Sequence, residues 1–372
     1  MIKIGITGQE GFVGTHLYNT LGLLPNEFER VPYDISFFSD PGLLESFVSG
    51  CDVIVHLAAM NRHPDPQVIY DTNMELVQKL IAALKNTGSK AHILFSSSSQ
   101  EEKDNLYGKS KKEGREMLSD WAKESGGTFT GLVIPNVFGP FGQPNYNSFI
   151  ATFCHKLTHG ETPEIHQDAE VDLIYVGELV NEIIGQIRGG KTTEEYKVPH
   201  TSSNKVSEIL SKLKHFKKLY FDAGEIPVLN NSFDLNLFNT FRCYFDLQDY
   251  FPRKFTQHTD ARGAFTEIVR LGSGGQCSFS TTVPGVTRGN HYHTRKIERF
   301  AVVKGKALIQ LRKVGTDAIL NFELDGSAPA YVDMPAWYTH NIKNIGTEEL
   351  YTIFWINEPY NPEDADTYFE EV

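Results

Sequence analysis

Residues 2–14 read Ile-Lys-Ile-Gly-Ile-Thr-Gly-Gln-Glu-Gly-Phe-Val-Gly and join a short apolar run to the start of a helical pattern. The run is rich in β-branched side chains, which favour a buried strand. The glycines Gly8, Gly11 and Gly14 permit a tight turn and a close approach of the backbone, so that a pyrophosphate could rest on the helix N-terminus. The segment therefore predicts a dinucleotide-binding unit, with an ordinary strand-to-helix turn as the alternative.

Outward from this segment, apolar runs alternate with amphipathic helical patterns. Continuous apolar runs separated by helices indicate βαβ units and a parallel sheet that is buried on both faces. We therefore predict an α/β fold with a doubly wound parallel sheet of the Rossmann type in a domain of residues 1–245. The apolar runs are residues 2–7, 51–58, 91–96, 131–134 and 172–176.

The pattern changes after about residue 245. Short apolar runs follow one another at regular spacing, separated by Gly, Pro, Asp and Asn, and no long helical pattern intervenes. Many short, evenly spaced strands are typical of a sandwich or barrel. We predict a second, all-β domain over residues 252–372, joined to the first near residues 240–252.

Length and composition agree with two soluble domains. The chain has 372 residues, which is beyond the size at which one hydrophobic core usually stops growing. A formal charge of −12 argues against non-specific binding of nucleic acid. The N-terminus lacks the pattern of a signal peptide, and no stretch reaches the roughly 20 apolar residues of a membrane span. Scattered cysteines without a Cys-x-x-Cys pair indicate a reducing compartment, so we expect a cytoplasmic protein without membrane insertion.

A second group of residues supports the dinucleotide pocket. A serine run, residues 96–99, ends one apolar segment, and Tyr107 and Lys111 lie near the start of the next helical pattern. Residues four apart on a helix share a face. A phenol titrates near pH 10, and an adjacent ammonium favours the phenolate, which brings the phenol into a useful range for proton transfer. The alternative for the pair alone is an ordinary surface contact.

Together these segments resemble the extended short-chain dehydrogenase/reductase family. The resemblance implies that Tyr107 is the acid/base, that Lys111 binds the nicotinamide ribose and lowers the pKa of Tyr107, and that a serine assists. We choose Ser98, the third of the run, over Ser97. Ser98 and Tyr107 are only nine positions apart, where most extended members have a longer loop. The resemblance assigns further coenzyme contacts to residues of the matching segments: Gly8, Gly11, Phe12, Val13, Gly14, Leu57 and Ala58.

The choice of coenzyme depends on Asp34. A carboxylate after the second strand accepts hydrogen bonds from a ribose 2′-hydroxyl and repels a 2′-phosphate, so Asp34 in that position favours NADH over NADPH. A solvated turn carboxylate is the alternative reading of Asp34.

The second domain contains a metal-ligand pattern. His291 and His293 are two residues apart and would project from one face of a strand. Glu298 can return from the next strand, and His340 completes three nitrogen ligands and one carboxylate, a set suited to Zn²⁺ or another divalent transition metal. The alternative is that these are polar residues on a barrel wall.

These segments resemble the cupin fold and, within it, the sugar-nucleotide 3,5-epimerases of the rhamnose pathway. That resemblance implies nucleotide contacts at Arg262, Phe265 and Glu267, and makes His291 the base. Most such epimerases have Gln at position 293 and use no metal. Because a metal ligand is not easily a free base as well, both His291 and Tyr338 are candidate proton carriers, and Arg288 with Arg262 would meet the diphosphate.

Over the whole chain the sequence resembles the CapF family of bifunctional capsular polysaccharide synthesis enzymes, and the shared segments include residues 144–154 and the C-terminal Asp366-Thr-Tyr-Phe. The resemblance implies a homodimer with a zinc-bearing cupin. It also implies C3 epimerisation and NADPH-dependent C4 reduction of a UDP-linked 4-keto sugar, giving UDP-2-acetamido-2,6-dideoxy-L-talose, a precursor of N-acetyl-L-fucosamine. Asn136, Asn145 and Asn147 are candidate substrate contacts. The alternatives are a lone reductase beside a non-catalytic cupin, and a 4,6-dehydratase or 4-epimerase.

Overall fold

The computed structural model describes residues 1–372 and divides them into two compact units. The first unit is Met1–Thr152 with Gln167–Val206, and the second is Phe153–His166 with Ser207–Val372. No helix is both long enough and apolar enough to span a lipid bilayer.

The first unit is built on a six-stranded parallel sheet in the order β2-β1-β3-β4-β5-β8. Three further strands, β6, β7 and β9, form a small sheet of their own. The strands are β1 (Ile2–Thr7), β2 (Phe28–Val31), β3 (Val53–His56), β4 (His92–Ser98), β5 (Thr128–Ile134), β6 (Asn136–Phe138), β7 (Glu170–Tyr175), β8 (Thr193–Lys197) and β9 (Ser202–Lys205).

The helices of the N-terminal half follow the predicted alternation. Their bounds are α1 (Phe12–Gly22), α2 (Pro41–Ser49), α3 (Pro66–Thr87), α4 (Leu106–Ser125), α5 (Phe149–Thr158) and α6 (Val176–Gly189). Apolar side chains of α2, α3 and α4 pack on one side of the sheet, and those of α1 and α6 form a second cluster. The strands are therefore buried on both faces, which is why every residue of β3 is buried. The predicted Rossmann-type fold is confirmed.

The strand order locates the edge at which a ligand can bind. The chain passes from β1 outward to β2 and then returns to the other side of β1 as β3. In open parallel sheets, ligands bind outside the carboxyl ends of the strands at such a reversal of strand order. The ends of β1 and β3 are Thr7 and His56, which are paired in register.

The second unit contains two five-stranded antiparallel sheets, in the orders β10-β18-β15-β20-β13 and β17-β16-β19-β14-β21, and a separate β11–β12 hairpin. The predicted all-β architecture is confirmed. The strands are β10 (Arg253–Lys254), β11 (Gln257–Asp260), β12 (Gly263–Thr266), β13 (Gln276–Thr282), β14 (Thr287–Tyr292), β15 (Glu298–Lys304), β16 (Lys306–Lys313), β17 (Ile319–Asp325), β18 (Ala330–Met334), β19 (Tyr338–Asn344), β20 (Leu350–Ile356) and β21 (Tyr368–Phe369).

Helices that precede these strands also belong to the second unit. They are α7 (Val206–Phe216), a π-helical turn (Lys217–Asp222), α8 (Ser232–Phe241) and α9 (Leu247–Tyr250). A buried network fastens them to the strands. The Arg299 guanidinium donates to both carboxylate oxygens of Asp333, at 2.7 and 2.9 Å, and the Tyr220 hydroxyl donates to the same carboxylate at 2.9 Å.

The sequence assigns residues 207–245 to the first domain, whereas their contacts group them with the β-strands. The network of Tyr220, Arg299 and Asp333 connects these residues to the β-strands. Its members are too far apart along the chain to form a local sequence pattern. The boundary between the functional domains stays a prediction.

Candidate active sites

The glycine loop closes tightly on the backbone around it. Gly8 has a φ of +74°, and a Cβ there would lie 2.8 Å from the Ala58 amide nitrogen. A Cβ on Gly14 would lie 2.2 Å from the Gly8 carbonyl oxygen, so both positions require glycine. Helix α1 begins at Phe12, and its N-cap residue, Gly11, supplies no side-chain cap. The helix amides are therefore left for a ligand, as a pyrophosphate site requires.

The other predicted coenzyme contacts lie at the same edge. Phe12 and Val13 are the first two residues of α1. The Leu57 amide donates to the Thr7 carbonyl at 3.1 Å, and the Ala58 amide lies 3.4 Å from the Thr7 hydroxyl. The structure thus brings the glycine loop and residues 57–58 together at the reversal of strand order.

Asp34 lies three residues beyond the end of β2. Its carboxylate accepts a hydrogen bond from the Ser36 amide at 2.8 Å and caps a short 3₁₀ helix, Ile35–Ser39. Hydrogen bonds from Ser36 lower the pKa of Asp34, so the group is ionised at neutral pH. Its assignment to a ribose hydroxyl stays a prediction.

Ser98, Tyr107 and Lys111 lie close together. Asn105 caps α4 by accepting from the Gly108 amide at 2.7 Å, which starts the helix just before Tyr107. A side-chain hydrogen bond links Ser98 to Tyr107. The Lys111 ammonium lies 5.8 Å from the centre of the Tyr107 ring and donates to the Ser96 carbonyl at 2.9 Å.

The electrostatics correct one expectation. Burial raises the pKa of Tyr107 to about 12, and this outweighs the lowering effect of the hydrogen bond with Ser98. The pKa of Tyr107 is thus raised, where the resemblance implies that Lys111 lowers it, and the cause is burial of the phenol. Burial also lowers the pKa of Lys111 to about 8. The phenol is therefore protonated at neutral pH, in the form that a general acid needs.

A buried ion pair explains the short connection between Ser98 and Tyr107. The connection forms a 3₁₀ turn, Ser99–Glu102, capped by Ser98. Glu101 accepts two parallel bonds from the Arg115 guanidinium, Nε to Oε1 at 2.9 Å and Nη2 to Oε2 at 2.8 Å, and a further bond from the Ser97 hydroxyl. Sequence reasoning missed this pair, because Arg115 lies in the middle of α4, 14 positions beyond Glu101. It holds the turn that presents Ser98 to the phenol.

The candidate substrate contacts lie on the segment after β5. The Asn136 amide donates to the Asp172 carbonyl at 3.3 Å, and Asn147 is exposed in a turn. The Arg62 guanidinium donates to the carbonyls of Asn145 and Tyr146, at 2.7 and 3.1 Å. Arg62, which sequence reasoning missed, therefore holds the loop that carries two of the candidates.

In the second unit, His291, His293, Glu298 and His340 form the metal-ligand cluster. One ligand atom from each residue lies within 4.8 Å of all the others. His291 is in β14 directly opposite His340 in β19, and Glu298 is the first residue of β15. Glu298 Oε2 lies 3.3 Å from His293 Nε2 and 3.1 Å from His340 Nε2. The predicted convergence of the four residues is present, although His293 follows the end of β14.

The hydrogen bonds behind the cluster orient its donor atoms inward. His293 Nδ1 is 2.5 Å from the Asp366 carbonyl, and His340 Nδ1 is 3.2 Å from the Tyr338 carbonyl. A ring nitrogen that donates to a carbonyl leaves the other nitrogen free as a ligand. Burial opposes ionisation of Glu298, but its contacts with the His293 and His340 rings hold the pKa of that carboxyl well below the usual range. Three imidazole nitrogens and one carboxylate fit a divalent transition metal.

The remaining predicted residues lie outside the cluster. Tyr338 is two residues before His340 and shares its face of β19. Arg288 donates to the Thr282 hydroxyl and the Thr281 carbonyl, each at 3.0 Å. Phe265 is 69% exposed on the β11–β12 hairpin. The two other charged residues are in surface ion pairs, Arg262 with Asp260 at 2.6 Å and Glu267 with Arg270 at 2.8 Å.

Two family models match the chain. Residues 4–198 match the NAD dependent epimerase/dehydratase family, and this segment includes the glycine loop, Ser98, Tyr107 and Lys111. It is more than half of the 372 residues. The chain belongs to the NAD dependent epimerase/dehydratase family. Residues 258–368 match the polysaccharide biosynthesis C-terminal domain, which here contains the whole metal-ligand cluster.

This epimerase/dehydratase family member is similar to some proteins over its full length and to others over part of it. A UDP-2-acetamido-2,6-beta-L-arabino-hexul-4-ose reductase of Pseudomonas aeruginosa is 32% identical over 99% of this chain and 98% of that protein. The crystal structure of the capsular polysaccharide assembling protein CapF from Staphylococcus aureus has 35% identity and a TM-score of 0.64, covering 100% of both chains. The spore coat polysaccharide biosynthesis protein SpsL of Bacillus subtilis is 29% identical over 31% of this chain and 82% of that protein. The predicted resemblance to CapF is confirmed.

Proposed function

We propose that this NAD(P)-dependent sugar-nucleotide epimerase/reductase carries out two reactions on one substrate. The second unit epimerises C3 of a UDP-2-acetamido-2,6-dideoxy-4-hexulose. The first unit then reduces the C4 ketone to give UDP-2-acetamido-2,6-dideoxy-L-talose, for the synthesis of a capsule or O-antigen. The observation that carries the proposal is that one chain holds both a Ser98–Tyr107–Lys111 group beside a dinucleotide loop and a four-residue metal-ligand cluster.

In the reduction, a hydride from the nicotinamide goes to C4, and a proton goes to the C4 oxygen. Tyr107 supplies that proton, because burial keeps its hydroxyl protonated. Ser98 donates a hydrogen bond to the same oxygen and orients the ketone. Lys111 holds the nicotinamide ribose, and its charge, next to the ring of Tyr107, stabilises the phenolate that remains.

In the epimerisation, a proton leaves C3 from one face and returns to the other. His291, His293, Glu298 and His340 would hold Zn²⁺ or another divalent transition metal. When bound, such an ion polarises a carbonyl as a Lewis acid, which makes the neighbouring C–H more acidic. His291 and Tyr338 are the candidate proton carriers, with Tyr338 on the same strand face as His340. Arg288 and Arg262 are the proposed diphosphate contacts, and Phe265 and Glu267 the proposed nucleotide contacts.

Several observations support these details. The name of the Pseudomonas aeruginosa relative describes a reductase of a UDP-linked 2-acetamido 4-keto sugar. The dehydratase alternative needs a free carboxylate beside the serine. That turn has two carboxylates: Glu101 is engaged by Arg115 and Ser97, and Glu102 is exposed, 4.0 Å from the Lys197 ammonium. We propose NADPH as the coenzyme. NADH is the alternative, and the ionised Asp34 favours it. The homodimer and the cytoplasmic location stay predictions.

The proposal is tested with the intact protein in deuterated water. A UDP-linked 4-keto-6-deoxy-N-acetylhexosamine is incubated without coenzyme, with NADPH and with NADH, and NMR follows C3 and C4. We expect deuterium at C3 in all three samples and a new C4–H only with a coenzyme. A reduced product that carries no deuterium at C3 would instead support a lone reductase beside a non-catalytic cupin. Elemental analysis of the purified protein identifies the metal.

A further inference from the structure

The last residues of the chain contact all three histidine segments of the metal-ligand cluster. We call residues 365–370 the C-terminal clamp. Within it, β21 pairs with β14, so that Phe369 lies opposite His291. The Glu370 amide donates to the Asn290 carbonyl at 3.1 Å, and the Glu370 carbonyl accepts a bond from the hydroxyl of Thr339, the neighbour of His340. The segments that hold His291 and His340 are thus joined by the same six residues.

The third histidine is contacted by Asp366. This residue is 4% exposed, and its backbone φ is +41°, a value that residues other than glycine seldom adopt. Its carbonyl oxygen faces His293 Nδ1 at 2.5 Å. The unusual backbone angle therefore belongs to the residue whose carbonyl fixes the tautomer of His293.

The Asp366 carboxylate holds the loop between His293 and Glu298. Its Oδ1 accepts from the Thr294 amide at 3.0 Å and from the Thr294 hydroxyl at 2.6 Å. Its Oδ2 accepts from the amides of Arg295 and Lys296, at 3.0 and 3.1 Å. Three consecutive amides and one hydroxyl therefore converge on one buried carboxylate, and the Lys296 ammonium donates to the adjacent Ala365 carbonyl at 2.6 Å.

We propose that Asp366 is a positioning residue for the metal-ligand cluster. Its carboxylate fixes residues 294–296, and its carbonyl holds the His293 ring with Nε2 toward Glu298, so that two ligands are set in place before an ion binds. This inference rests on the proposed metal function. It assigns a role to Asp366-Thr-Tyr-Phe, the C-terminal segment that resembles the CapF family. The proposed reactions give this segment no other role.

The first test is Asp366→Asn in the full-length protein. Asparagine accepts positive φ more readily than most residues, but its NH₂ group cannot accept from the amides of Arg295 and Lys296. Loss of a residue behind a metal ligand typically weakens metal binding about 10- to 100-fold. We expect a weakening of that size for Zn²⁺, measured by competition with a chromogenic chelator. Asp364→Asn is the matched control, because Asp364 is 64% exposed and is paired with Arg295 at the surface. It should bind Zn²⁺ as the unchanged protein does.

Equal Zn²⁺ affinity in the Asp366→Asn variant and the unchanged protein would overturn the inference. A second measurement needs no variant and so does not depend on folding. Long-range ¹H–¹⁵N NMR of the histidine rings in the unchanged, metal-free protein should give His293 as the tautomer protonated on Nδ1. Protonation on Nε2 alone would contradict the role of the Asp366 carbonyl. Failure of the unchanged protein to bind Zn²⁺ would instead contradict the proposed function, while the NMR result would still test the clamp.

Discussion

The two candidate sites differ in how far apart their residues lie in the chain. Ser98, Tyr107 and Lys111 lie within 14 residues of one another, at one strand end and in the first turns of the next helix. The four metal-ligand residues extend from position 291 to 340, and the residue that orients His293 is at 366. A helical period places Tyr107 and Lys111 on one face of α4, whereas the metal-ligand cluster depends on strand register.

The two sites also differ in what holds them. In the first unit, a local turn and the buried Glu101–Arg115 pair set the position of Ser98. In the second, β14 and β19 place His291 opposite His340, and the C-terminal clamp joins both strands to the His293 loop. If the two sites are independent, changes in one should leave the chemistry of the other intact.

The largest effect is expected from Tyr107→Phe. Loss of a general acid costs about 10²- to 10⁴-fold in rate, so oxidation of NAD(P)H in the presence of the ketone should fall by that factor. Deuterium exchange at C3 should continue at the rate of the unchanged protein. Loss of both activities in a folded variant that binds coenzyme would refute independent sites.

Glu298→Gln is the converse change. It removes the one charged ligand of the metal-ligand cluster, and Lewis-acid assistance is worth several kcal/mol, or about 10³-fold in rate. C3 exchange and bound metal should both decrease, while reduction of a ketone that is already epimerised should continue. Glu323→Gln, an exposed position on β17, is the matched control. Undiminished exchange in the Glu298→Gln variant would contradict a role for the cluster.

Arg115→Met tests the ion pair of the first site through stability. It leaves Glu101 buried without its partner, which should cost about 3–5 kcal/mol of unfolding free energy. The matched control is Arg188→Met, because Arg188 makes the same two-bond pair with Glu27 at the surface, with half of its side chain exposed. Its loss should change the unfolding free energy far less, because water screens a pair at the surface. The measurement is denaturant unfolding. Equal losses of unfolding free energy in the Arg115→Met and Arg188→Met variants would contradict the conclusion that burial makes the Glu101–Arg115 pair the more important one.

Gly14→Ala tests the glycine loop. The added Cβ would collide with the Gly8 carbonyl, and a forced backbone shift costs about 1–3 kcal/mol, so coenzyme binding should weaken about 10- to 100-fold. Gly185→Ala is the control, because Gly185 lies within α6 and nothing is near the position of its Cβ. Coenzyme titration by fluorescence should separate the two variants, and C3 exchange should be the same in both. Unweakened binding by the Gly14→Ala variant would contradict the assigned loop.

The smallest effect concerns pH. Lys111 has a pKa lowered to about 8, so its charge is complete at neutral pH and is lost as the pH rises through 8. Tyr107, with a pKa raised to about 12, stays protonated over that range. Reduction should therefore decrease about tenfold from pH 7 to pH 9. In a Lys111→Arg variant the decrease should move to higher pH, because a guanidinium keeps its charge. If reduction by the Lys111→Arg variant decreases over the same pH range as in the unchanged protein, the group that titrates is not Lys111.

The sequence predicted the alternating fold and the shared helix face of Tyr107 and Lys111, because both follow from local periodicity. It also predicted which four residues form the metal-ligand cluster, because His-x-His and a returning strand limit the geometry. It did not predict the contact of Tyr220 with Asp333, the Glu101–Arg115 pair or the bonds of Asp366. In each case the contact joins residues that are distant in sequence, or it is made with a backbone atom. Contacts of these two kinds leave no pattern of residue types in the sequence. The raised pKa of Tyr107 was missed for a similar reason, since burial cannot be read from a four-residue spacing.

The most direct test of two independent sites is a transfer of the intermediate between variants. The Tyr107→Phe variant is incubated with the ketone in deuterated water, the protein is removed by ultrafiltration, and NMR confirms deuterium at C3 in the filtrate. Folded Glu298→Gln protein is then added with NADPH. The account predicts that this second variant reduces the filtered ketone to the same product that the unchanged protein makes. Failure to reduce it, by a variant that still binds NADPH, would contradict the separation of the two reactions.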